Sequence, residues 1–66
     1  MKIYTLYHDE CSEKDVVCVS EDIEMVKRTI CEMCRDRAFP YLEIWENGEL
    51  LETAEGNSAL RLLTKQ

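Results

Sequence analysis

The chain has 66 residues, a formal net charge of −6 at pH 7 and 45% hydrophobic residues, which suffices for one thin core and leaves no room for a second domain. The excess of acid argues against nucleic acid and anionic membranes as partners, because neutralising phosphates requires a basic footprint. No apolar run approaches the ~20 residues that span a bilayer, and the opening turns polar too soon for a signal peptide, so a cytoplasmic protein is expected.

Residues 2–8 alternate, with Ile3, Thr5 and Tyr7 on one side and Tyr4, Leu6 and His8 on the other, and their β-branched and aromatic content predicts a strand. The polar stretch from His8 to Lys14 breaks this pattern, and Asp15-Val16-Val17-Cys18-Val19 reads as a second, shorter strand closing a hairpin. Ser20 then offers an N-cap, with Glu21, Asp22 and Glu24 in the first turn, where acids suit the positive end of the helix dipole. Lys27, Arg28, Arg35 and Arg37 follow later. At 100° per residue Ile23, Val26, Ile30, Met33 and Cys34 form one apolar stripe, predicting an amphipathic helix that faces the sheet. Pro40 restricts Phe39 to extended geometry and ends the helix at or before it.

Asn47-Gly48 between alternating segments predicts a type I′ turn joining strands over Tyr41–Thr53. A regular register then opposes Trp45 to Leu50, Ile44 to Leu51, Glu43 to Glu52 and Leu42 to Thr53. One face would carry Leu42, Ile44, Leu51 and Thr53, and the other Tyr41, Trp45 and Leu50. After a break at Gly56 and Asn57, Leu60, Leu62 and Leu63 lie in a segment too short to be helical alone. The expected fold is α+β in ββαββ(α) order: a four-stranded, mostly antiparallel sheet with the long helix on one face and the short C-terminal helix on part of the other, or at an edge. This order and the opening Lys2-Ile3-Tyr4 resemble short open reading frames carried by bacteria and their phages, without a motif that names a family.

Among constellations with chemistry, His8-x2-Cys11 and Cys31-x2-Cys34 have the paired spacing of tetrahedral zinc sites, and a helix returning along the second strand would bring the pairs to one level. Against zinc, Cys34 lies on the core stripe, Cys31 flanks it, and neither pair has the glycine of a metal-binding turn, so free thiols are the plainer expectation. A redox role suits the pair less, since it sits late in the helix, where the dipole disfavours thiolates. The acidic loop with Asp9, Glu10, Glu13 and Asp15 lacks the order of a calcium-binding loop. No nucleophile–base motif or phosphate loop accompanies the single His8, so no enzyme is expected.

What remains is the second hairpin, where Tyr41, Trp45 and Leu50 are framed by Glu43 and Glu52. Between Arg37 and Arg61 the charged residues are Glu43, Glu46, Glu49, Glu52 and Glu55. Aromatic anchors beside acid suit a surface for a basic protein partner. The plainer reading covers this face with the leucines of residues 60–63 or with the long helix. The leading expectation is a small, acidic, non-catalytic interaction or regulatory module. The alternatives are a zinc-stabilised domain using His8, Cys11, Cys31 and Cys34, and a phage-type homodimer.

Overall fold

A computed structural model describes residues 1–9 and 14–65. The elements run β1 (Lys2–Asp9), β2 (Lys14–Ser20), α1 (Ile23–Arg35), β3 (Pro40–Glu46), β4 (Glu49–Glu55) and α2 (Asn57–Thr64). The strands form one four-stranded sheet in the order β2-β1-β3-β4, with every neighbouring pair antiparallel. The α+β architecture and the ββαββα order are those expected from the sequence.

Alternation decides what each face of this sheet presents. Tyr4 and Leu6 of β1 point to the same side as Cys18 of β2 and Leu42 and Ile44 of β3, and all five are buried. Val26, Ile30 and Met33 of α1 meet them there. The helix begins two residues later than the sequence pattern predicts: the N-cap is Asp22, whose Oδ1 accepts from the amides of Glu24 (3.1 Å) and Met25 (3.3 Å). Ser20 ends β2 instead, and its Oγ accepts from the Asp22 amide at 3.0 Å. The carboxylate of Asp22 thus satisfies two orphan donors and adds negative charge at the positive helix end. At the other end Arg37 takes a left-handed φ of 62°, and the amides of Arg37 and Ala38 donate to the carbonyls of Cys34 and Met33. This paired closure stops the helix before Pro40 acts.

The short helix α2 is not on the opposite face or at an edge; it lies beside α1 on the same face, against β3 and β4. Ala59 and Leu63 are fully buried there, with Leu60 and Leu62 packed around them. Gly56, at φ 58°, reverses the chain directly after β4, and its amide donates to the Pro40 carbonyl at 2.9 Å. α1 leaves the β3–β4 side of this face open, and an eight-residue helix must bury its apolar stripe to persist.

The β3–β4 hairpin turns at Asn47 (φ 53°) and Gly48 (φ 81°), as the Asn-Gly signal requires. The pairing Trp45↔Leu50 holds, but a bulge then inserts Leu51, giving Ile44↔Glu52, Glu43↔Thr53 and Leu42↔Ala54. The extra residue brings the small Ala54 under α2 and leaves Leu51 half-exposed. A second register shift falls in β2, where Cys18 opposes Leu6 and Val16 opposes Tyr7. Both edge strands therefore carry an irregularity of the kind that blunts pairing with other chains.

Candidate protein-binding face

With both helices on one side, no described element covers the other side of the sheet. Its side chains fall into three rows crossing the strands. One row pairs Ile3 with Trp45 and Trp45 with Leu50; the next runs Val19, Thr5, Glu43, Thr53; the third runs Val16, Tyr7, Tyr41, Glu55. The outer rows are bulky and the middle row is small, except for its carboxylate. This difference in size makes a shallow trough of about 370 Å³ over Thr5 and Glu43, walled by Ile3, Trp45 and Tyr7.

Glu43 is tied to both walls. The Trp45 indole Nε1 donates to Glu43 Oε1 at 3.3 Å. The Tyr7 hydroxyl also bonds to Glu43; that bond, partial burial and the negative charge of the carboxylate hold the phenol above its usual 10.0. Tyr7 and Tyr41, directly opposed, stack obliquely with ring centroids 5.9 Å apart, a geometry aromatic pairs favour. Ile3, Val16, Val19 and Leu50 are all more than a third exposed, Val16 and Val19 by about 60%. The face is apolar in area and acidic at its centre.

Of the residues singled out from the sequence, Tyr41, Glu43, Trp45 and Leu50 share this face. Glu52 does not. The bulge at Leu51 puts it opposite Ile44, on the helix side, where it borders a cleft with Arg61 and Lys65. The expected opposition of Glu43 to Glu52 is therefore absent, and Glu43 faces Thr53. Nor do the leucines of α2 or the long helix cover Trp45, since both helices are occupied on the other side. The residues of β1 and β2 that complete the face, Ile3, Thr5, Tyr7, Val16 and Val19, were not foreseen as part of it. Their alternation was visible, but the pairing of β1 with β3 was not.

The cysteine pairs are placed as follows. Cys18 is buried in the core. Cys34, expected on the core stripe, is exposed: α1 turns Ile30 and Met33 inward, while the Cys34 thiol faces the start of α2, 4.0 Å from Asn57 Oδ1. Cys31 is also exposed. His8 opposes Pro40 in the sheet and Cys34 borders the same proline, so those two lie at one end of the molecule. Cys11, Glu10 and Glu13 fall outside the described residues, among which no cluster of three or more His, Cys, Asp or Glu is arranged to hold a metal ion. No helix among them is long and apolar enough to cross a membrane.

Fold and surface together define a small α+β module with helices on one face of its sheet and an open apolar–acidic face on the other. No protein-family model, curated protein or solved structure matches the chain.

Proposed function

We propose that the chain is a non-catalytic protein-interaction module that docks a basic partner on its uncovered sheet face. The observation that carries this reading is the aromatic strip of Trp45, Tyr7 and Tyr41, left open around the Glu43 carboxylate. Aromatic side chains at the centre of an exposed apolar patch are the usual anchors of protein recognition. A net charge of −6, with Glu55 on the face and Glu46 and Glu49 beside the turn of the same hairpin, favours encounter with cationic surfaces. Four strands ~4.8 Å apart, each about six residues long, span roughly 19 by 20 Å. That is about half of the ~800 Å² one partner contributes to a standard interface, so the contact extends onto the acidic β4 edge. As a regulator, such a module offers carboxylates where a nucleic-acid-binding protein expects phosphates.

The test is an amide chemical-shift titration of the labelled chain with cationic, neutral and anionic peptides of matched hydropathy. The expected result is salt-sensitive binding of the cationic set, with perturbed residues confined to the open face and β4, and its loss in Trp45→Ala. Equal binding of anionic peptides, or perturbations centred on the helices, would reject the reading.

A further inference from the structure

We infer that the trough over Thr5 and Glu43 is a receptor for one arginine side chain of the partner, with the guanidinium paired to Glu43 between Trp45 and Tyr7. This rests on the docking reading above and makes it specific. The cross-strand pairs explain why the pocket exists. Ile3 opposite Trp45 and Tyr7 opposite Tyr41 stand tall on either side of Thr5 opposite Glu43, so one small side chain and one carboxylate lie between two bulky pairs. The resulting space, about 370 Å³, has the volume to take the apolar stem of a basic residue as well as its head.

The chemistry of the lining selects a cation. The indole N–H donates to Glu43, and the same carboxylate holds the Tyr7 phenol above its usual value, so Glu43 is engaged from both walls. An ionised carboxylate has about four acceptor positions, more than the donors described at Glu43 use, which leaves capacity for a ligand. Among the described residues no basic side chain lines the trough, whose lining is Ile3, Thr5, Tyr7, Glu43, Trp45 and the Asn47-Gly48 turn. A guanidinium suits it better than an ammonium. It is planar, more weakly hydrated, presents paired donors to a carboxylate, and gains from flat aromatic neighbours.

Trp45 is the only tryptophan, so its emission and indole proton report on the trough without assignment. Acetyl-Gly-Arg-Gly-amide is titrated into the intact chain beside the matched citrulline and lysine peptides. The arginine peptide is expected to shift both signals saturably at about millimolar concentration, the lysine peptide more weakly and the neutral citrulline peptide not at all. Glu43→Gln keeps an acceptor for Trp45 and Tyr7 but loses the charge, and should weaken the arginine peptide about tenfold or more with an unchanged circular dichroism spectrum. Thr5→Ile fills the floor with a strand-compatible side chain and should abolish the response while leaving Glu43 in place. Equal responses to arginine and citrulline or to arginine and lysine, or an unaltered response in Glu43→Gln, would overturn the receptor. If longer cationic peptides nevertheless dock on the face, the docking reading stands without it; if none docks, both fall.

Discussion

Placing α2 beside α1, and so leaving the Trp45 face open, makes Leu63 a structural keystone that can be tested without a ligand. Leu63 is fully buried, whereas Leu51, at the bulge of β4, is 44% exposed. Truncating a buried leucine loses its transfer free energy and leaves a cavity that a thin core closes only in part, a cost of about 2–5 kcal/mol. Domain stabilities of ~0.05–0.15 kcal/mol per residue give this chain about 3–10 kcal/mol in all. Leu63→Ala should therefore remove about a fifth of the stability or more. A loss of about 3 kcal/mol corresponds to ~12–24 °C in melting temperature for a domain of this size. Leu51→Ala should cost less than about 1 kcal/mol, because its side chain is largely hydrated already. Urea unfolding followed by circular dichroism gives both numbers, with the slope unchanged if the transition remains two-state. Were α2 at an edge, Leu63 would be partly exposed; were it on the Trp45 face, Leu63→Ala would shift the Trp45 emission of the folded chain, which here it should leave unchanged. Equal losses for the two variants, or a loss below about 1 kcal/mol for Leu63→Ala, would refute the arrangement.

Two further outcomes follow from the caps and the trough. Asp22→Ala should cost about 1 kcal/mol by removing the acceptor for the Glu24 and Met25 amides, whereas Ser20→Ala should cost a few tenths; the opposite ranking in urea unfolding would restore Ser20 as the cap. The Tyr7 phenol is held above 10.0 mainly by its hydrogen bond to Glu43, so its contribution to stability is present below the unfolded value and is lost as pH rises through the raised folded one. Ultraviolet titration should show a late-ionising tyrosine that disappears in Tyr7→Phe and ionises earlier in Glu43→Leu, which removes both acceptor and charge; identical titration of wild type and Glu43→Leu would remove the influence of Glu43 on Tyr7.

The legible parts of this fold are those in which local signals act alone. Ile3/Thr5/Tyr7 against Tyr4/Leu6 exposed the alternation of β1, Asn47-Gly48 the tight turn, and Val26/Ile30/Met33 the buried stripe of α1. What the sequence hid depends on single-residue irregularities and on pairing between distant segments. The bulge at Leu51 leaves Trp45↔Leu50 intact but moves Glu52 from the aromatic face to the helix side. No residue at that point announces it, because Leu50-Leu51-Glu52 alternates acceptably in either register. Cys34 likewise fits the helical stripe, yet the stripe runs past the part of α1 that the sheet covers. The site was half visible for the same reason: Trp45, Tyr41 and Glu43 belong to one strand, while their partners Ile3, Tyr7 and Thr5 arrive only when β1 pairs with β3.

That pairing changes the meaning of Glu43. Read along the β3–β4 hairpin it is one of five spaced glutamates, a solvated charge with a poor claim to specificity. Read across the sheet it lies between two tall pairs, accepting a bond from each wall. A carboxylate on a solvated face contributes little to affinity because water screens it. One fixed in an apolar trough meets a cation at a lower local dielectric, with its geometry set beforehand. The long-range charge of the hairpin can steer many basic surfaces toward this face. Discrimination among them would fall to Glu43, the carboxylate that the fold holds within the trough.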